Sequence, residues 1–344
     1  MAKEGKSIVL SAYCDSGYPG PEHFTIETVP VDDLADGGLL VQALVMSADP
    51  YLRASVKSNS GKPLGTPMSG FIAGKVLESK NAAWKAGDLF GASLPFTTVQ
   101  VVTADQLSKT VSWKLSEFIT EDQISLGIGV LGMPGVTAYA GLVDVLRPNE
   151  GETLFVSAAS GAVGSLVGQI GKHVYKLKTI ASAGGPKKCA LCKDAFGYDE
   201  AIDYKTASNT AELTALLKAA APDGIDMYFE NVGSMHFEAA LAALRAKGRI
   251  AVCGSISAYS DAAPQPCAIH PGQLIYKLQR IEGFMCAPWL GDPKGKALRA
   301  MAAWWKEGKL KVQETDYHGV ERWPEAFNAL FTGANVGKVV VHVA

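Results

Sequence analysis

Residues 155–172 read FVSAASGAVGSLVGQIGK, and the fold turns on this stretch. An apolar run, TLFVSAA (153–159), passes through small residues into a segment where Val163, Leu166, Val167, Ile170 and Val174 recur at helical spacing. A helix is therefore expected to start near Ala162. A dinucleotide loop needs a strand, a tight turn with little side chain, and a helix whose free N–H groups face the diphosphate. Laid on G-x-G-x-x-G, the stretch supplies Ala159, Gly161 and Gly164. A small residue can make the first turn, Gly161 lets backbone approach phosphate, and Gly164 lets helix approach strand. Taken alone, the same letters also describe a strand–helix turn that binds nothing.

The flanking sequence decides between these. KTIASA (178–183), AIDY (201–204), DMYFENVG (226–233) and GRIAVCG (248–254) are short apolar runs separated by helix-length segments. Strands alternating with helices imply a parallel sheet covered on both faces. The first third differs: LLVQALVM (39–46) and GFIAGKVLES (70–79), punctuated by turns such as KAGDLFG (85–91), suggest an antiparallel, barrel-like domain. Near the end, GVERWPEAFNALFTG (319–333) predicts a short helix stopped by Gly333, followed by a strand in GKVVVHV (337–343). The expected division is 1–128, 129–306 and 307–344.

The second strand of the parallel region selects the cofactor. An NAD site usually places Asp or Glu there to accept from the ribose 2′-hydroxyl. This chain has ASAGGPKK (181–188), with no carboxylate and with Lys187 and Lys188 just beyond. A carboxylate would repel a 2′-phosphate and lysine attracts it, so NADPH is expected. A solvated lysine pair at a helix start is the bland alternative.

Composition narrows the rest. A chain of 344 residues with 48% hydrophobic content and a formal charge of −2 suggests two domains with ample core and no nucleic-acid partner. Six scattered cysteines point to a reducing compartment, the cytoplasm. The apolar run near the N-terminus is too brief for a secretory signal. Residues 124–143 carry no charge over about the length of a membrane span, but Pro134 and five glycines interrupt them. They read better as a buried helix, a turn at GMPG (132–135) and a second helix. Cys189 and Cys192 form a lone Cys-x-x-Cys pair without a partner pair, so no metal site is expected. The chemistry must then come from the cofactor together with proton donors.

Several motifs together carry a resemblance. MSADPYLR (46–53), GMPGVTAYAGL (132–142), DGIDMYFENVG (223–233), GRIAVCGSISAY (248–259) and the closing NVGKVVV (335–341) resemble the zinc-free prostaglandin reductase and alkenal double-bond reductase branch of the medium-chain dehydrogenase/reductase superfamily. The ligand cysteine and the Gly-His-Glu of the zinc-dependent relatives are missing near SADPYLR and MSGFIAG. The resemblance implies an α/β protein: a GroES-like β-barrel catalytic domain, interrupted by a doubly wound Rossmann domain and completed by the C-terminal return. It implies NADPH, hydride transfer to the β-carbon of an α,β-unsaturated carbonyl, and a homodimer.

The resemblance also assigns roles. Gly161, Ala162, Val163 and Gly164 would cradle the diphosphate, and Lys188 and Tyr204 would hold the adenosine phosphate. Asn231, Cys253, Gly254, Ser255, Ile256, Ser257, Phe284, Met285, Cys286 and Asn335 would line the rest of the cofactor, with Met133 and Thr137 near the nicotinamide end. Tyr259, ending SISAY, would stabilise the developing enolate. Tyr51 either shares that task or packs. Arg53 is expected to pair with Asp49. FMCAPWL (284–290) and Ser234 depart from the branch's pattern, so no prostaglandin preference carries over. A quinone reductase, or a non-catalytic NADPH-binding protein, remains an alternative on the same residues.

Overall fold

The computed structural model describes residues 4–261, 266–292 and 294–343. The chain forms two compact units, 1–133 with 290–293 and 314–344, and 134–289 with 294–313.

The second unit is built on six parallel strands. In chain order they are Thr153–Val156, Lys178–Ala183, Glu200–Asp203, Ile225–Glu230, Leu244–Val252 and Arg280–Gly283. In space they lie third, second, first, fourth, fifth, sixth, with every neighbouring pair parallel. This is the doubly wound order, whose direction reverses between the first and fourth strands. The central strands are nearly continuous apolar runs because helices cover both faces. Phe155 and Tyr228 are register partners and stack at 5.0 Å in a core completed by Ile180, Leu213, Leu217 and Ile250.

The first unit holds a hairpin, Glu4–Leu10 with Phe24–Pro30, and a seven-stranded sheet. That sheet is antiparallel through Leu39–Ser47, Ser69–Ser79 and Leu89–Pro95. Its last pair, Glu314–His318 with Lys338–His342, is parallel, so the sheet is mixed where the sequence suggested only antiparallel strands. The helix Trp323–Thr332 ends at Gly333, whose φ of 71° makes the left-handed stop expected there. Trp323 is fully buried against Phe24, Phe96 and Phe327 and donates its indole N–H to the Ser47 carbonyl.

Two local expectations are corrected. GMPG is no turn: Met133–Tyr139 is already helix, and the chain breaks at Gly129–Gly132 instead. Pro134 is tolerated because the first helical N–H groups need no intrahelical partner. Arg53 does not pair with Asp49. Its guanidinium donates to the carbonyls of Cys14 and Gly17, whereas Asp49 meets the Lys338 ammonium at 3.1 Å. Among the described residues no single helix is long and apolar enough to cross a membrane. The bent pair Glu121–Ile128 and Met133–Leu146, at 52°, passes only on combined length and composition, and most of its apolar residues are buried.

Candidate functional site at the carboxyl ends of the parallel sheet

The strand after which FVSAASGAVG turns is the first of the six, next to the point where the sheet order reverses. Ala158 takes a left-handed φ of 49°, so the strained step falls one residue before the position laid on the first glycine. Ala159 instead is buried, with its N–H bonded to the Ser182 carbonyl of the second strand. Gly161 precedes the helix Ala162–Gln169 and supplies no side-chain acceptor to its first-turn N–H groups. A Cβ on Gly164 would lie 2.4 Å from the Ala158 carbonyl oxygen, so only glycine lets the helix sit this close. A Cβ on Gly161 would meet that same oxygen at 3.2 Å and nothing nearer. An open, uncapped helix start at the reversal point fits a diphosphate.

Ser157 and Glu230 bridge the reversal. The Ser157 hydroxyl donates to Glu230 Oε1 (3.1 Å) and accepts from the Tyr228 hydroxyl and the Asn231 N–H. Glu230 Oε1 also accepts the N–H groups of Val232 and Gly233. Burial raises the Glu230 carboxyl above its ordinary range, against these bonds. Asn231 donates its amide to the Ser157 carbonyl at 2.8 Å. Its own carbonyl accepts from Ile256 N–H, and Val232 accepts from Ser257. The segment Cys253–Tyr259 is thereby fastened to the Asn231–Gly233 loop. Tyr259 folds back so that its phenol oxygen accepts the Ser255 N–H at 3.3 Å. Burial raises its pKa, keeping the hydroxyl protonated.

The second-strand end is basic. Lys188 lies on the first turn of the helix Pro186–Asp194, where burial and then the Lys205 charge lower its pKa. Tyr204 follows the third strand, its ring edge-on to His236 at 5.0 Å. His236 is buried, bonded to Ser182 Oγ at 2.9 Å, and held neutral, with a pKa lowered by burial to about 4. Cys189 and Cys192 share that helix as packing residues. Cys192 is fully buried, and desolvation pushes its thiol up to about 12. Among the described residues no group of three or more His, Cys, Asp or Glu is placed to hold a metal ion.

The remaining expected residues divide. Phe284 to Cys286 follow the sixth strand, but the Phe284 ring turns inward onto Phe229 and Trp289. Met285 is exposed, and burial pushes the Cys253 thiol up to about 12. Thr137 is buried in the helix Met133–Tyr139. Tyr51, Met133 and Asn335 belong to the first unit. There Tyr51 is exposed and meets Phe71 edge-on at 6.5 Å. Sequence reasoning overlooked Ser157, Glu230 and Lys205. A glutamate closing the otherwise apolar MYFE was the available sign.

The family described as "N-terminal domain of oxidoreductase" matches residues 6–110, and "Zinc-binding dehydrogenase" matches residues 162–303. Prostaglandin reductase 1 of Bos taurus is 39% identical over 325 residues, covering 94% of this chain and 95% of that protein. The NADP(+)-dependent 2-alkenal reductase of Nicotiana tabacum is 38% identical across 100% of this chain and 99% of its own. The crystal structure of CurA from Vibrio vulnificus in complex with NADPH has a TM-score of 0.86 at 33% identity, covering 98% of this chain and 99% of that one.

Proposed function

The chain belongs to the medium-chain dehydrogenase/reductase family, in the branch of the prostaglandin and alkenal reductases, and from that premise we propose that it reduces the C=C bond of α,β-unsaturated aldehydes and ketones with NADPH. The observation that carries the proposal is the phenol of Tyr259. It stays protonated, already accepts one backbone N–H, and therefore has its own hydrogen to give.

Bound NADPH would supply a hydride to the β-carbon of the enone. The protein's task is the charge that then develops on the carbonyl oxygen. Tyr259 donates a hydrogen bond to that oxygen, and the Ser255 N–H on the phenol oxygen makes it a stronger donor. A solvent proton then goes to the α-carbon. Asn231 and the segment Cys253–Ser257 hold the reduced ring's ribose side through the bonds that fasten them together. Gly161 to Gly164 hold the diphosphate, and Lys188 with Tyr204 the 2′-phosphate. Met133, Thr137, Phe284, Met285, Cys286, Asn335 and Tyr51 complete the proposed set.

We also place the protein in the cytoplasm as a homodimer. Its free cysteines fit a reducing compartment. The sixth strand is an open edge of the parallel sheet, beside exposed Ile275, Tyr276, Leu278 and Met285. Such an edge is normally covered, and a second copy covers it symmetrically. A solution mass near 36 kDa, that of one chain, would overturn this part.

The test of function is NADPH oxidation with a medium-length 2-alkenal, beside a simple quinone, each repeated with NADH. Turnover of the alkenal with NADPH supports the proposal. Turnover of the quinone alone would move it to a quinone reductase. NADPH binding without turnover of either would favour a non-catalytic role.

A further inference from the structure

The end of the second strand holds a basic residue that neither the loop motif nor the lysine pair PKK brings forward. Lys205 follows Tyr204 in the short helical turn Tyr204–Thr206. Lys205 is exposed, yet its side chain passes over the end of the second strand. A Cβ built on Gly184 would lie 3.0 Å from Lys205 Cε and 3.2 Å from the Tyr204 hydroxyl. Lys205 and Tyr204 therefore lie together across the glycine that ends the second strand. Lys188 stands on the first turn of the helix that begins two residues after Gly184, and the Lys205 charge lowers its pKa after burial does. Asp203 is nearby, but its Oδ1 accepts the N–H groups of Gly185 and Lys205 at 2.8 and 3.1 Å, which fixes the turn. Like charges that act on each other in this way are relieved by a dianion bound near both.

We propose that Lys205, which lies beside the Tyr204 hydroxyl at Gly184, is a second reader of the NADPH 2′-phosphate, acting together with Lys188. A side chain at this position would crowd Lys205 and Tyr204, so the glycine lets both lie over the strand end. Specificity for NADPH over NADH then comes from a pair of lysines. The proposal rests on the NADPH reading above.

The test measures dissociation constants for NADPH and NADH, by tryptophan fluorescence quenching, in the wild type and in Lys205→Ala, Lys205→Arg and Lys188→Ala. Lys205→Ala should weaken NADPH roughly tenfold, as expected for one lost charge-assisted contact, and leave NADH unchanged. Lys205→Arg should restore most of the loss. Competition by 2′,5′-ADP, which carries the phosphate without the nicotinamide, should follow the same order. The NADPH preference of the wild type should also shrink with added salt, as screening predicts. Unchanged NADPH binding in Lys205→Ala, with a loss in Lys188→Ala, would overturn this proposal alone. An unchanged NADPH-to-NADH ratio in both variants would overturn the phosphate reading itself. Equal weakening of NADPH and NADH in Lys205→Ala would assign the residue to the fold, not to the phosphate.

Discussion

Tyr259 is a half-buried phenol turned back on its own chain, and one backbone contact gives it a direction. With the Ser255 N–H on its oxygen, its hydrogen points elsewhere. Tyr259→Phe removes that hydrogen and little volume, so turnover of an enone should fall on the order of a hundredfold while NADPH affinity is retained. Steady-state rates beside a binding titration check this, and unchanged turnover would remove Tyr259 from catalysis. His236 makes a different prediction at the same scale. Burial lowers its pKa from 6.5 to about 4 in the folded protein. Between those values the unfolded chain binds the extra proton, so the contribution to stability is full above pH 6.5 and declines as pH falls towards 4. At pH 5 the decline is about 2 kcal/mol. Urea unfolding at pH 7 and pH 5 should show that loss in the wild type and not in His236→Gln. An equal loss in both would assign it to other groups.

At the scale of elements, the strand–loop–helix unit separates two kinds of glycine. Gly164→Ala would drive a methyl to 2.4 Å from the Ala158 oxygen and 2.8 Å from Ala159 Cα, both backbone atoms that cannot step aside. The helix must lift, at about 1–3 kcal/mol, and its N-terminal N–H groups move with it. Gly161→Ala meets only the Ala158 oxygen at 3.2 Å, so it should cost little stability yet still weaken NADPH by filling the space where phosphate approaches. Thermal unfolding and NADPH titration of both variants separate the effects, and a stable Gly164→Ala with wild-type affinity would refute the close-packing argument. Five of the six parallel strands were legible because each is a short apolar run between helix-length segments, as KTIASA shows; the sixth, Arg280–Gly283, was not, because RIEG holds a single apolar residue. The helix start at Ala162 was legible from its apolar spacing. The strained step at Ala158 was not, because alanine carries no sign of a positive φ. GMPG misled because Gly and Pro mark turns and helix starts alike. Of the proposed cofactor contacts, the glycine loop and Lys188 announced themselves by motif. Glu230, which braces the loop without being one of those contacts, did not, because its partner Ser157 follows the neighbouring strand, 73 positions away.

At the scale of the molecule, the last strand of the chain joins the sheet built by its first third. The last strand pairs with Leu39–Ser47 and delivers Lys338 to Asp49, 289 positions away. Both side chains are almost fully buried, and the ammonium also donates to the Ala48 carbonyl at 2.8 Å. No local pattern could announce this pair, and the neighbouring Arg53 looked the better partner by proximity. A buried pair of this kind fixes where a late strand docks, while adding little net stability once desolvation is counted. Its loss is nevertheless costly, because the survivor is left charged and dry. Lys338→Met should therefore destabilise the protein by about 3–5 kcal/mol. Adding Asp49→Asn to that variant removes the stranded charge, so the double variant should be more stable than Lys338→Met alone. Urea unfolding of the wild type, both single variants and the double variant closes the cycle. If the two losses simply add, the ion pair is not what holds the terminal strand, and its apolar face of Val339 and Val341 carries the docking instead.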